Sequence, residues 1–279
     1  MVGEERFQDQ VERYFDALGD EEWRRFESVE EQVALEIHRR FLAHLVRPGM
    51  RCLDIGAGPG RFTIQLIEAG ARVVVGDISQ VQLALNAERI SQAGLDEGVE
   101  ARLRLDVCDL STIPEESFDL VLAYGGPISY VFERADVALA EMTRVARPGG
   151  SVVGSVMSLA GSARRYLASF PSTIEAVGLE PFERFLSHGD QRAIEPAGAH
   201  PCRLFRSAEL TDLMDRAGLE MIAMSSSHWL SLGHPETVAA LLDDPATHDR
   251  FFDWEAQLCA EPGAIDGGKH ILFAATKPW

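Results

Sequence analysis

The chain has 279 residues, of which 46 % are hydrophobic and 25 % are charged, a balance that is ordinary for a globular protein with a sizeable core. Its formal net charge is −18, which repels phosphates and argues against nucleic acid or an anionic membrane as a partner. The four cysteines are far apart and lack Cys-x-x-Cys spacing, so we expect no metal site and no disulfide framework, as is usual for a cytoplasmic protein.

The first 47 residues have helical periodicity. Apolar residues recur at helical spacing within 7–18 and again within 33–45, and Pro48-Gly49 ends this part. The chain starts with polar and acidic residues rather than a secretory signal pattern, and no apolar run approaches the roughly 18 residues of a membrane span. We therefore predict a helical N-terminal segment over residues 1–47.

Strands and helices alternate over residues 48–157. Because such alternation requires right-handed crossovers, it predicts an α/β fold with a parallel sheet. The predicted strands are 51–55, 72–76, 100–105, 118–124 and 151–157, and the predicted helices are 62–68, 81–93 and 134–145.

The rhythm is interrupted twice in the second half of the chain. Residues 158–206 contain several prolines and no long period, and we interpret them as an insertion with short helices near 164–170 and 181–186. The regular pattern returns with a helix capped by Ser207 and running to Ala217, a strand over 219–225, and a final strand over 270–276. Between these strands lies a second irregular segment, residues 231–268, with a helix near 249–259.

A glycine-rich turn follows the first strand. Asp54 precedes Gly56, Gly58 and Gly60, which alternate with other residues before a helix begins. A dinucleotide-binding turn requires G-x-G-x-x-G, and Arg61 occupies the place of its third glycine. The carboxylate ahead of the glycines suits a ligand with an ammonium group and disfavours a pyrophosphate.

Two further acidic residues follow the second and third strands. Asp77 ends the second strand, where its carboxylate can accept hydrogen bonds from both hydroxyls of a ribose. Asp106 follows the third strand and can accept a bond from an adenine amino group, while the Val107 N–H can meet a ring nitrogen. The three carboxylates therefore predict an aminoacyl-nucleoside as the ligand.

These residues resemble the class I S-adenosylmethionine (SAM)-dependent methyltransferase superfamily. The resemblance is carried, in the proper order, by residues 53–60, 75–78, 105–110, 118–121 and 144–150. It implies a Rossmann-like sheet of seven strands in the order 3-2-1-4-5-7-6, with the last strand antiparallel. It also implies SAM as the cofactor and S-adenosylhomocysteine as the product.

The resemblance extends to particular residues. Tyr14 lies in a segment similar to the aromatic N-terminal lids of small-molecule members, although its helical spacing is equally typical of a packing residue. Tyr124 lies in the loop after the fourth strand, where the family places methyl transfer. The expected cofactor-binding residues are Asp54, Gly56, Ala57, Gly58, Gly60, Asp77, Ile78, Asp106, Val107, Tyr124 and Tyr14.

Catalysis by this family is mostly alignment of the acceptor with the methyl group in a dry pocket, so a general base is needed only for a tightly held proton. The candidates for such a role are His228, after the sixth strand, His200, in the first insertion, and Tyr130, in the loop after the fourth strand. The alternative for each is a surface or packing role. His38 and His270 are expected to be structural.

The function that the sequence predicts is methyl transfer to an O, N or S atom of a small molecule, with secondary metabolites as one candidate class. The alternatives are methylation of RNA or protein, a non-methylating use of SAM, and a nucleotide-binding oxidoreductase, which the glycine spacing disfavours. The predicted division is a lid (1–47), a SAM-binding core (48–157), a substrate cap (158–206) and the rest of the core (207–279). The sequence is compatible with a homodimer.

Overall fold

A seven-stranded sheet of order β3-β2-β1-β4-β5-β7-β6 lies at the centre of the protein. The computed structural model describes residues 2–195 and 200–279. Strand β7 is antiparallel to both of its neighbours, and the other neighbouring strands are parallel. The predicted order is therefore confirmed. The strands are β1 (Arg51–Ile55), β2 (Arg72–Asp77), β3 (Val99–Arg104), β4 (Phe118–Ala123), β5 (Ala146–Met157), β6 (Glu220–Ser226) and β7 (His270–Thr276).

Helices cover both faces of the sheet because alternate strand residues are apolar on each face. Leu42, Leu66 and Leu83 pack on one face, and Leu139 and Leu210 pack on the other. The helices are α1 (Val2–Leu18), α2 (Glu21–Arg24), α3 (Val29–Ala43), α4 (Arg61–Glu68), α5 (Gln80–Gln92), α6 (Ala135–Val145), α7 (Leu159–Arg165), α8 (Phe170–Val177), α9 (Leu179–His188), α10 (Ser207–Arg216), α11 (Pro235–Asp243) and α12 (His248–Cys259).

Two predicted boundaries are wrong. Strand β5 begins at Ala146 rather than at 151, because the Pro148-Gly149-Gly150 stretch is accommodated by a shift in the register with β4. Ser207 is the first residue of α10 and does not cap it. Its hydroxyl donates to Asp266 Oδ2, and the side chain of Glu209 accepts from the Arg206 N–H ahead of the helix.

The second irregular segment contains a helix that the sequence did not indicate. Helix α11 packs with α12 against α3, where Val33, Ile37, Val238 and Phe251 form a separate apolar cluster. Within the described residues, no helix is long and apolar enough to cross a membrane.

Helices α7 to α9 pack through their own apolar cluster against the carboxyl end of the sheet. Phe182 and Phe185 of α9 contribute to this cluster, with Tyr130 and Met157 packed against it. Residues 196–199, which belong to the predicted insertion, lie outside the described part of the chain.

Candidate active site

A cavity opens at the carboxyl ends of the parallel strands, where sheets of this kind bind ligands. Its free space, counted to the open mouth, is about 970 Å³. The glycine turn, the ends of β2 and β3, the loop after β4 and the helices α1 and α2 form its walls. The predicted site residues among its lining are Gly56, Ala57, Gly58, Asp77, Ile78, Asp106, Val107, Tyr124 and Tyr130.

The glycine turn depends on the absence of side chains. Gly56, Gly58 and Gly60 all have positive φ values, of 70°, 52° and 96°, which only glycine adopts freely. A methyl group on Gly56 would lie 2.4 Å from Pro127 Cγ, in the loop after β4. On Gly60 it would lie 2.9 Å from the side-chain amide nitrogen of Asn86 in α5. Gly60 therefore packs on a helix rather than lining the cavity as expected.

Asp77 joins the end of β2 to the glycine turn. Its Oδ2 accepts from the Gly58 N–H at 2.8 Å, and its Oδ1 accepts from the Ser79 N–H at 2.9 Å. Burial nevertheless raises the pKa of this carboxyl to about 6, because these hydrogen bonds offset only part of the lost hydration. Each carboxylate oxygen keeps a lone pair with which it could accept from a ribose hydroxyl.

Asp106 lies where the sequence placed it, after β3 and in the cavity wall. Its Oδ1 accepts from the Cys108 N–H at 2.9 Å, which fixes the orientation of the carboxylate. Its Oδ2 accepts from the side-chain amide of Gln8 in α1, and Gln8 also lines the cavity. Helix α1 therefore offers Asp106 the same kind of N–H donor as an adenine amino group.

Asp54 does not line the cavity, contrary to the expected contact with a ligand ammonium group. It alternates along β1 with Leu53 and Ile55, so its side chain lies on the opposite face of the sheet, where α4 packs. There it is 2 % exposed and accepts from Thr63 Oγ1 at 2.7 Å. Burial raises the pKa of Asp54 to about 7.

His200 and Tyr14 form an aromatic stack behind the cavity wall. The His200 ring lies between those of Tyr14, at 3.7 Å, and Tyr130, at 4.6 Å. Neither ring nitrogen of His200 has a hydrogen-bond partner among the described residues, and burial lowers its pKa to about 4. Of the three, only Tyr130 lines the cavity; from α1, Phe15 lines it in place of Tyr14.

His228 is also turned away from the cavity. Its Nδ1 is 2.7 Å from Ser227 Oγ, and its Nε2 is 3.5 Å from Glu30 Oε1 on α3. The contact with His228 and the ion pair with Arg165 lower the pKa of Glu30 to about 2. The histidine therefore lies between the end of β6 and α3, and its buried Nε2 makes no hydrogen bond among the described residues. None of the eight histidines, all of which the structure describes, lines the cavity.

Behind the wall, two more histidines are packed without charge. The rings of His38 and His270 meet edge to face at 5.5 Å, and His38 Nδ1 is 2.7 Å from Ala34 O. Burial lowers the pKa of His38 to about 4 and that of His270 well below its usual range. The His38 ring also meets the ring of the lining residue Tyr124 edge to face at 5.0 Å, and the Tyr124 hydroxyl points at His38 O at 3.5 Å.

Tyr124 and Tyr130 lie in the predicted methyl-transfer loop after β4, and both line the cavity. Burial raises the pKa of both phenols, so each keeps its proton at neutral pH. A protonated phenol is a poor general base. Tyr130 can therefore donate a hydrogen bond or shape the pocket, but it does not suit a proton-accepting role.

Three charged residues of the cavity wall were not predicted from the sequence: Glu22, Arg25 and Arg61. Arg25 Nε lies 2.7 Å from Glu22 Oε1. Arg61 stacks on the ring of Trp23 at 3.9 Å and donates to its carbonyl at 2.6 Å, so it anchors α2 to the glycine turn. The available signal was the run of charged residues around Trp23 and Phe26 over 20–26. Within the described residues, no three histidine, cysteine or acidic side chains are grouped to hold a metal ion.

Comparisons with known proteins agree with this geometry. Residues 52–150 match a family model described as a methyltransferase domain. The ubiquinone/menaquinone biosynthesis C-methyltransferase UbiE of Xylella fastidiosa (strain M12) is 32 % identical over 137 residues, which cover 46 % of this chain and 52 % of that protein. Methyltransferase GfsG of Streptomyces halstedii is 27 % identical over 183 residues, 64 % of this chain and 56 % of GfsG. The chain thus spans about half the length of the curated relatives it matches.

The fold is shared with solved structures along nearly the whole chain. A SAM-dependent methyltransferase of Thermotoga maritima superposes with a TM-score of 0.59 at 19 % identity, covering 97 % of this chain and 99 % of that one. The matching strand order, the glycine turn and the methyltransferase-domain match lead to one assignment. Residues 52–150 therefore carry a methyltransferase domain, and the findings together support a class I SAM-dependent methyltransferase whose cofactor is S-adenosylmethionine.

Proposed function

We propose that this protein transfers the methyl group of SAM to an atom of a small molecule. The observation that carries the proposal is the placement of Asp77 and Asp106 in one cavity with the glycine turn. When bound, SAM supplies an activated methyl group that an acceptor atom takes by in-line displacement. The residues of this chain then have to bind SAM, orient the acceptor atom towards its methyl group, and exclude water from the cavity.

The chemistry of the cavity fits SAM. Asp77 and Asp106 offer carboxylate oxygens for the ribose hydroxyls and the adenine amino group. The charged lining residues are Glu22, Asp77, Asp106, Arg25 and Arg61, three acids against two bases. This slightly negative set suits a ligand with a net positive charge and disfavours the pyrophosphate of a dinucleotide.

The walls also support exclusion of water. Helices α1 and α2 cover the turn and are held to the core by polar contacts. Glu12 pairs with Arg104 at 2.6 Å, and Asp16 Oδ1 accepts from Ser79 Oγ at 2.5 Å. We infer that this segment is a lid that opens to admit ligands and then closes over them.

The acceptor class is the finer part of the proposal. The net charge of −18 disfavours RNA, and the cavity is lined mainly by apolar and aromatic side chains. We expect an O, N or S acceptor atom, and the name of UbiE adds carbon as a fourth candidate. No histidine base lines the cavity, which favours an acceptor that needs little help in losing its proton.

The test has a binding arm and a transfer arm. Calorimetric titration should show binding of SAM and S-adenosylhomocysteine but not of NAD, and Asp77→Ala should abolish it. SAM with a labelled methyl group should label extractable small molecules in a cell extract when the wild-type protein is added. Label in precipitated RNA or protein would contradict the small-molecule assignment, and binding without transfer to any fraction would indicate a non-methylating use of SAM.

A further inference from the structure

We propose that Glu22 and Arg25 clamp the amino-acid end of SAM, with the Glu22 carboxylate on its ammonium group and the Arg25 guanidinium on its carboxylate. The inference rests on the proposed function, since it takes SAM as the ligand. The charged groups of the amino-acid end are then bound by side chains of the N-terminal segment rather than by the acidic residue of the glycine motif.

The position of the pair is the first argument. Both residues line the cavity, and they extend across two turns that follow the neighbouring strands β1 and β4. Glu22 Cγ lies 3.9 Å from the point where a side chain on Gly58 would begin. Arg25 Nη2 lies 3.5 Å from the corresponding point on Gly125. The two charges therefore face the glycine turn and the predicted methyl-transfer loop.

The pair also has unused hydrogen-bonding capacity. The side chains of Glu22 and Arg25 are only 13 % and 29 % exposed, and burial raises the pKa of Glu22. Their ion pair joins Arg25 Nε to Glu22 Oε1 at 2.7 Å, yet the buried Arg25 Nε makes no hydrogen bond among the described residues. An amino acid carries both opposite charges, so it can bind both side chains without leaving either charge buried alone.

The other charged residues at the site have other roles. Asp54, the expected partner of the ammonium group, is directed to Thr63 on the far side of the turn. Asp77 and Asp106 lie at the ends of β2 and β3, where the ribose and adenine are expected. Arg61 is already bound to the Trp23 carbonyl. Of the charged lining residues, Glu22 and Arg25 are left for the amino-acid end.

The experiment compares ligands that differ at that end, and each variant is compared with the wild type for the same ligand. The full chain is titrated with S-adenosylhomocysteine, with decarboxylated SAM, and with 5′-methylthioadenosine, which lacks the amino-acid part. Glu22→Gln should weaken S-adenosylhomocysteine and decarboxylated SAM by about tenfold to a hundredfold, as expected for a hydrogen bond to a charged group. Arg25→Met should weaken S-adenosylhomocysteine to a similar degree and leave decarboxylated SAM nearly unchanged. Neither variant should change the affinity for 5′-methylthioadenosine.

The neighbouring ion pair on α2 provides matched controls. Arg24 and Glu21 make the same contact at 2.7 Å, but their side chains are 55 % and 65 % exposed and do not line the cavity. Glu21→Gln and Arg24→Met should leave all three affinities unchanged. Thermal unfolding of each variant shows whether it is folded, and Glu22→Asp, which keeps the charge, should retain part of the affinity.

Three outcomes would overturn the clamp. An equal loss for 5′-methylthioadenosine and S-adenosylhomocysteine would mean that the pair only holds α2 in place. Unchanged cofactor affinity with a raised KM for the acceptor would assign the pair to the acceptor. A wild-type protein that prefers S-adenosylhomocysteine no more than 5′-methylthioadenosine would have no amino-acid subsite. Wild-type binding of none of the three ligands would instead reject the proposed function itself.

Discussion

The Asp77 carboxylate accepts a hydrogen bond from the Gly58 N–H at 2.8 Å. This contact joins the end of β2 to the glycine turn after β1, so a residue expected to bind the ligand also shapes the turn around it. The same carboxylate therefore has two roles that a substitution and a change of pH can separate.

The first prediction concerns the pH dependence of cofactor binding. Burial raises the pKa of Asp77 to about 6, so the wild-type carboxylate becomes protonated as the pH falls through 6 and accepts hydrogen bonds less well. Affinity for S-adenosylhomocysteine should therefore decline between pH 7 and 5. Asp77→Asn should bind about tenfold or more weakly at pH 7.5 and lose this decline. Calorimetric titrations across this range test it; the same pH profile in the variant would exclude Asp77 as its source.

The second prediction concerns stability and Asp54. Burial raises its pKa to about 7 in the folded state, above the value of about 4 for an exposed carboxyl. Its stabilising contribution is therefore fully present at low pH and is lost as the pH rises from about 4 through 7. Asp54→Asn keeps a carbonyl oxygen for Thr63 and removes the buried charge. Relative to wild type, its free energy of unfolding should increase between pH 4 and 8, by an amount on the order of 2–4 kcal/mol.

Urea unfolding of both proteins at several pH values measures that difference. Thr63→Val provides a control, because it removes the hydroxyl donor and leaves the carboxyl in place. It should destabilise the protein most at pH 8, where Asp54 is ionised and the hydrogen bond is charge-assisted. Parallel pH curves for wild type and Asp54→Asn would contradict the buried, perturbed carboxyl.

The glycine turn and the placement of Asp77 and Asp106 could be predicted because each depends on a local pattern, whereas the strand order followed from the resemblance to the methyltransferase superfamily. A buried strand ending in glycines or an acid puts those residues at the carboxyl edge of a parallel sheet. The direction of Asp54 was also available from its alternation with Leu53 and Ile55, but the glycine motif outweighed that signal.

The remaining site residues could not be predicted, since they depend on how distant segments pack. Glu22 and Arg25 reach the cavity because α2 packs on the glycine turn, and no short-range pattern specifies that contact. His200 was favoured as a base from its place in a loop, yet it stacks on Tyr14, far away in sequence. The position of a histidine in a loop shows only that the residue can reach the site. It does not show that the imidazole ring faces the cavity.

The third prediction separates a structural His200 from a catalytic one. His200→Phe keeps a flat ring between Tyr14 and Tyr130, so it should retain methyl transfer within a few-fold of wild type. His200→Ala removes the stack, which is worth on the order of 1 kcal/mol for each ring pair. Hydrogen exchange of α1 should then be faster in the alanine variant and unchanged in the phenylalanine variant. Equal loss of transfer in both variants, with α1 still protected, would support a catalytic imidazole.

The fourth prediction concerns acid stability and His270. Burial holds its pKa well below the ordinary value near 6.5, so the folded state binds fewer protons than the unfolded chain. The stabilising contribution of the neutral ring is present above pH 6.5 and is lost as the pH falls below it. His270→Leu removes that loss, so the unfolding free energy of the variant relative to wild type should rise by about 1.4 kcal/mol for each pH unit below 6.5.

The contribution of Asp54 has the opposite pH dependence, but it is present in both wild type and His270→Leu. The quantity to interpret is therefore the difference between the unfolding free energies of the two proteins at each pH. His44→Leu provides a control, because it makes the same replacement at an exposed histidine after α3. If the difference for His270→Leu is independent of pH between 6.5 and 4.5, then His270 is protonated in the folded state.

The last prediction tests the contact between the glycine turn and the loop after β4. Gly56 has a φ of 70°, and a methyl group there would lie 2.4 Å from Pro127 Cγ. Gly56→Ala therefore has to move the loop that forms part of the cavity wall, and a left-handed alanine alone costs about 1–2 kcal/mol. Urea unfolding should show a loss of at least that size, and binding of S-adenosylhomocysteine should be abolished. Gly263→Ala is the matched control, because its φ is not positive and no atom lies within 4 Å of the added methyl. It should leave binding unchanged; normal binding by Gly56→Ala would show that the turn and the loop need not touch.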